Sequence, residues 1–206
     1  MLVLAITDTH GIYEAVYNKN SEILSRQRPD LVLLLGDHYA HEVRMMRSQF
    51  QGISMYGLYG NHDNEDTLQG VECFDHKMMK TGSFLYTGLN GSHRYKPSQV
   101  YGYTQRESIV ACDTLPDADV LFCHDGPYNT LRGESHCGLK GISRYIQKVH
   151  PKTVVHGHLH YPNHYQMQTG FWNRYTTDVY CIYQMAYIDF NDDGSVKAIQ
   201  QLEAFL

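Results

Sequence analysis

The chain has 206 residues, a formal net charge of −5, and 42% hydrophobic against 19% charged residues. That length supports a large core, and the balance is that of a globular protein rather than a disordered or fibrous chain. The acidic balance leaves no basic footprint for gripping a phosphate backbone, which argues against a sequence-independent nucleic-acid binder but not against a small anionic substrate.

Residues 2–6 (Leu2-Val3-Leu4-Ala5-Ile6) predict a buried strand. The run is too short for a secretory h-region, and no stretch approaches the length of a membrane span. A loop, Thr7-Asp8-Thr9-His10-Gly11, follows at the strand's C-terminal end. Ile12, Val16, Ile23 and Leu24 have helical spacing, which predicts a helix over 12–28 stopped by Pro29. Residues 31–35 are uninterrupted apolar, the mark of a strand covered on both faces, and they end in Gly36-Asp37-His38. A helix over 41–50 precedes a strand over 53–59, which opens into Gly60-Asn61-His62-Asp63.

The middle is less regular. Residues 71–76 and 83–87 read as short strands, 88–91 as a turn, and 104–112 as a helix. A strand over 119–123 ends on His124-Asp125-Gly126-Pro127, and the glycine-rich piece 128–138 forms a loop over the site. A helix over 139–149 leads through Pro151 to a strand at 153–156, which ends in Gly157-His158-Leu159-His160. From Tyr161 the pattern turns to alternating, tyrosine-rich strands, including 179–190 and 196–202, with a hairpin turn at Asp192-Asp193-Gly194. No repeat, linker or low-complexity stretch interrupts this order, so a single domain over 1–206 is expected.

Cys73, Cys112, Cys123, Cys137 and Cys181 are odd in number and form no CxxC pair. That argues against a disulfide framework and a cysteine zinc site, and suits a cytoplasmic protein.

Polar groups therefore gather at five strand ends, and in open α/β sheets such groups converge in the crevice outside the strands' carboxyl ends. Taken alone, Asn61 to Asp66 would serve equally as an Asn-initiated turn. Together, Asp8, His10, Asp37, Asn61, His124, His158 and His160 supply two carboxylates, one amide and four imidazoles. Mixed oxygen and nitrogen donors suit manganese, iron, zinc, cobalt or nickel better than calcium. Seven donors exceed one tetrahedral ion and match two divalent ions sharing a carboxylate, an arrangement that bridges a hydroxide and clamps a phosphoryl oxygen. His62 is left free to protonate a departing oxygen, and Asp63 stands next to it to orient the ring.

The five blocks Asp8-Thr9-His10, Gly36-Asp37, Gly60-Asn61-His62-Asp63, His124 and Gly157-His158-Leu159-His160 together resemble the calcineurin-like metallophosphoesterase signature, in its order and over most of the chain. The resemblance implies an α/β fold, a four-layer αββα sandwich with two mixed β-sheets flanked by helices. It implies one metal held by Asp8, His10, Asp37 and His160. Asp37 would bridge to a second metal held by Asn61, His124 and His158, with His62 as the acid beside the phosphate. Manganese is the expected ion.

Protein phosphatases of this superfamily carry Gly-Asp-x-x-Asp-Arg-Gly, whereas this chain has Gly36-Asp37-His38-Tyr39-Ala40-His41-Glu42. His124-Asp125-Gly126-Pro127 and Gly138-Leu139-Lys140 are instead similar to small bacterial and archaeal phosphodiesterases. The expectation is thus a phosphodiesterase acting on a small phosphorylated substrate, nucleotides included, with no membrane partner and with homo-oligomerisation open. Alternatives are a phosphomonoesterase or protein phosphatase of the same superfamily, or a non-catalytic interaction module that keeps the fold.

Other residues draw plainer expectations. His38 reads as a solvated or capping histidine, His156 as a satisfied core histidine, and Cys123 and Cys137 as inert thiols. Arg132 and His136 fall in the loop over the site. Tyr161, Tyr165, Trp172 and Tyr175 read as packing aromatics.

Overall fold

Alternation along the apolar runs sets the architecture. In the computed structural model, which describes residues 1–133 and 136–205, strand β1 (Leu2–Ile6) sends Val3 and Ala5 to one face and Leu4 and Ile6 to the other. β2 (Leu31–Leu34) does the same with Leu31 and Leu33 against Val32 and Leu34. β9 (Val120–Cys123) divides Val120 and Phe122 from Leu121 and Cys123. Each strand is buried on both faces because each face meets a different core. One core, containing Val3, Leu33, Phe122 and Ile188, lies between two sheets. The other two lie under helices, giving the four-layer αββα order.

The first sheet has the order β14-β13-β1-β2-β3-β4, with β3 at Ser54–Gly57, β4 at Glu72–Cys73, β13 at Met185–Phe190 and β14 at Val196–Gln201. β1 to β4 run parallel, and β13 returns antiparallel to β1. The second has the order β11-β12-β10-β9-β6-β5, from Asn163–Thr169, Tyr175–Cys181, Thr153–His156, β9, Phe84–Leu89 and Met79–Thr81. Its β6, β9, β10 and β12 are parallel. Both sheets are therefore mixed.

Helices α1 (Tyr13–Lys19), α2 (Ser21–Arg26) and α3 (Ala40–Gln49) cover the first sheet. α4 (Gln105–Asp113) and α5 (Lys140–Val149) cover the second, α5 through Ile142, Tyr145 and Ile146 at helical spacing. A pair of two-residue strands, β7 (Ser92–His93) and β8 (Gly102–Tyr103), fixes the ends of the segment 94–101.

Three expectations change. The helix over 12–28 is two helices, broken at Asn20, whose amide bonds the carbonyls of Val16 and Glu203. The turn at 88–91 begins later, since Gly88 and Leu89 extend β6 and pair with Phe122 and Cys123. The strand over 179–190 is two strands in different sheets, separated at 182–184, where Gln184 takes φ 59°. Of the loop 128–138, residues 134 and 135 lie outside the described residues.

Candidate active site

The C-terminal ends of β1, β2, β3, β9 and β10 deliver the donors to one edge of the sandwich, and all seven metal-ligand candidates meet there. The donor atoms of Asp8, His10 and His160 lie within 4.8 Å of one another, as do those of Asp37, His124 and His158. Asn61 joins the second group, its Oδ1 2.9 Å from His124 Nε2. Asp37 Oδ2 faces both groups, 3.7 Å from His10 Nε2 and 3.4 Å from His124 Nε2.

The backbone is bent to achieve this. Asp8, His10, Asp37, His158 and His160 have φ of 51°, 44°, 59°, 68° and 57°, the left-handed region that non-glycine residues avoid. Two glycines admit the close approach. A Cβ on Gly60 would lie 2.1 Å from Asp37 Oδ1, and one on Gly157 would lie 2.2 Å from Thr7 Oγ1.

Hydrogen bonds outside the cradle orient Asp8, Asp37, Asn61 and His124. Asp8 Oδ2 accepts from Thr7 Oγ1 at 2.7 Å and from the His158 N–H at 2.8 Å, while buried Oδ1 makes no hydrogen bond and faces His160 Nε2 at 3.5 Å. Asp37 Oδ1 accepts the His62 N–H at 2.8 Å, leaving Oδ2 for the cradle. Asn61 Nδ2 donates to Tyr95 Oη at 3.1 Å, which points the amide oxygen at His124. His124 Nδ1 sits 2.8 Å from the Leu35 carbonyl, which only accepts, so Nδ1 carries the proton and Nε2 presents a lone pair. His10 Nε2 and His160 Nε2 approach to 3.2 Å.

The result is a cluster in which imidazole nitrogens face carboxylate and amide oxygens. Such a cluster needs cations, as protons or as metal. In the metal-free molecule burial opposes charge on His124, yet Asp37 and Asp8 outweigh it and raise its pKa to about 10. Burial lowers the pKa of His10 and of His158, favouring the neutral form that a metal requires. Burial works against ionised Asp8 and Asp37, but the imidazoles around them hold both below the usual carboxylate range.

His62 is exposed, with its ring edge-on to His10 at 5.2 Å between centroids. The expectation for Asp63 is corrected. Its carboxylate is 4% exposed and accepts three backbone N–H groups, from Asp37 at 2.9 Å, His38 at 2.9 Å and Gly60 at 2.6 Å. Both oxygens are thus committed to knitting the β2 and β3 loops together rather than to orienting His62. Burial and then the charge of Asp37 push Asp63 up to about 7, against the pull of its N–H donors.

His38 is corrected too. It is 2% exposed, and its Nδ1 lies 2.8 Å from Thr9 Oγ1, which itself donates to Glu42 Oε2 at 2.9 Å. Burial lowers its pKa to about 4. His156 is buried as expected but only half satisfied, with Nδ1 on the Gly157 carbonyl and Nε2 without a partner. Arg132 turns to the Tyr165 ring, 5.7 Å from its centroid, while the His136 ring lies 5.1 Å from that of His158. Tyr175 stacks on His150, whereas Trp172 is 86% exposed and meets the Phe171 ring edge-on rather than the core. Tyr95, Thr7 and the Leu35 carbonyl carry no sequence signal, because their partners are distant in the chain.

Two mixed sheets with a donor-lined edge define an α/β protein with a candidate metal-binding site. Residues 1–162 match the family described as calcineurin-like phosphoesterase, and the chain belongs to that family. Membership implies divalent metal ions and phosphoesterase chemistry in general. No curated protein sequence matches the chain. Similar solved structures include a phosphatase from Mycoplasma pneumoniae (10% identity, 97% of this chain and 92% of that one, TM-score 0.55). A single mutant of Vps29 from Entamoeba histolytica has 16% identity over 98% and 100% of the two chains, with TM-score 0.51. Phosphopantetheinyl hydrolase from Mycobacterium tuberculosis has 13% identity over 88% and 89%, with TM-score 0.50. At these identities the likeness is one of fold. Among the described residues no helix is long and apolar enough to cross a membrane.

Proposed function

We propose that the chain is a phosphodiesterase whose two donor groups hold a pair of divalent ions, preferentially manganese, with Asp37 shared between them. The observation that carries this reading is the meeting of two donor groups, Asp8 with His10 and His160 and Asp37 with His124 and His158, the donor atoms of each within 4.8 Å of one another and Asp37 Oδ2 facing both. When bound, such a pair of ions lowers the pKa of a water nucleophile and draws charge from the phosphoryl oxygens. Asp8 and Asp37 offset only part of that positive charge, so the cradle favours an anionic phosphate.

His62 delivers the proton to the departing oxygen. Its exposed ring stands at the edge of the cradle, and the bond from its N–H to Asp37 Oδ1 fixes where its side chain departs. A cavity of about 230 Å³ adjoins Asn61 and His62 and suits a small ester substituent, a nucleoside among them. None of the five cysteines is in a disulfide, in keeping with a cytoplasmic setting.

Turnover of bis-p-nitrophenyl phosphate and p-nitrophenyl phosphate by metal-stripped and manganese-loaded protein tests the reading. Manganese-dependent turnover that favours the diester is expected. No turnover of either ester overturns the assignment, and a strong monoester preference transfers it to a phosphomonoesterase. A dinucleoside monophosphate, whose alkoxide leaving group needs a proton, isolates His62. There His62→Ala should lower kcat by about 10²–10⁴-fold, with metal content unchanged.

A further inference from the structure

The segment 94–101 carries a charge that the proposed chemistry has not used. β7 and β8 hold its ends, and Pro97 restricts Lys96 before it to extended backbone. Arg94 is drawn outward by Glu107, 3.2 Å away. Tyr95 turns inward and bonds Asn61, and the Lys96 ammonium lies 5.0 Å from the centroid of the Tyr95 ring. Lys96 is thereby held beside the cradle through a single aromatic ring.

The cavity of about 230 Å³ has Asn61 and His62 on one side and Tyr95, Lys96, Ser98 and Gln99 on the other. His62 is the proposed proton donor to the departing oxygen, so the group that departs occupies this cavity. Lys96 is the only lysine or arginine in its lining, and the one carboxylate there, Asp63, is committed to backbone N–H groups. Among the described residues no carboxylate lies within 4.0 Å of the Lys96 ammonium.

We infer that Lys96 is a specificity-determining residue that binds a second anionic group on the leaving portion of the substrate. This rests on the phosphoesterase reading and adds to it a substrate class: esters that carry a negative charge beyond the scissile phosphate, on the side that leaves. A carboxylate or a further phosphate would serve, since an ammonium reads charge rather than planar geometry.

The test compares two synthetic diesters with manganese-loaded protein at low ionic strength. Phenyl p-nitrophenyl phosphate has a neutral leaving group, and phenyl 3-carboxy-4-nitrophenyl phosphate has the same leaving group bearing a carboxylate. The ratio of their kcat/KM values is read in wild type, Lys96→Gln and Lys96→Arg. Wild type should prefer the carboxylated ester, Lys96→Arg should keep the preference, and Lys96→Gln should lose about fivefold of it. Added salt should erode the preference in wild type and not in Lys96→Gln. An equal ratio in wild type and Lys96→Gln overturns the inference while leaving the phosphoesterase reading intact. Failure of wild type to turn over either ester overturns that reading, and the inference with it.

Discussion

Asp63→Ala separates the role found for this carboxylate from the one that its place next to His62 suggests. The substitution strands the N–H groups of Asp37, His38 and Gly60, which Asp63 accepts at 2.6–2.9 Å. A buried donor left unpaired costs about 1–3 kcal/mol, so if relaxation lets one of the three reach water the other two should cost about 2–6 kcal/mol. For a chain of this size each kcal/mol moves Tm by roughly 2–4 °C, giving a loss of about 4–24 °C. Asp63→Asn should lose less, about 1–3 kcal/mol, because its amide oxygen can keep the Asp37 and Gly60 donors while its NH₂ opposes the His38 N–H. Thermal and urea denaturation of the three metal-free proteins provide the measurement. If Asp63→Ala keeps the wild-type Tm and only the pH profile of kcat moves, the carboxylate serves His62 and the argument fails.

Two further outcomes follow from the cradle. Tyr95→Phe releases the Asn61 amide, and loss of such a supporting bond should weaken manganese binding by about 10–100-fold at the group containing Asn61 while sparing the other; two-site calorimetric titration reads this, and equal weakening at both sites contradicts it. In metal-free protein His124 has its pKa raised to about 10, so its stabilising contribution is complete below the unfolded value near 6.5 and is lost as pH rises through 10. Tm in chelator should therefore fall between pH 7 and pH 10, and manganese should flatten the curve by taking the proton's place; a flat curve in chelator would show that no such proton is held.

Four of the five strands that carry the site, β1, β2, β9 and β10, were legible because they are buried on both faces. β1, β2 and β9 read as unbroken apolar runs and β10 as an apolar pair between Thr153 and His156, and each leads into a loop of polar donors. The seven donors could then be collected by topology, without geometry. What escaped depends on partners remote in sequence. The stretch 179–190 looks like one strand, yet its two halves serve different sheets, and only Gln184 at φ 59° marks the crossing. Asp63 sits beside His62 in the chain but bonds the backbone of residues 25 and 26 positions away. His38 has the polarity of a surface residue, and its burial rests on Thr9, which bonds its Nδ1 and in turn donates to Glu42.

Anomalous diffraction from manganese-soaked crystals puts the cradle to its most direct trial. Two peaks are predicted, one against Asp8, His10 and His160 and the other against Asn61, His124 and His158, with the Asp37 carboxylate touching both. A single peak, or two peaks that Asp37 does not join, would contradict the shared centre on which the chemistry depends.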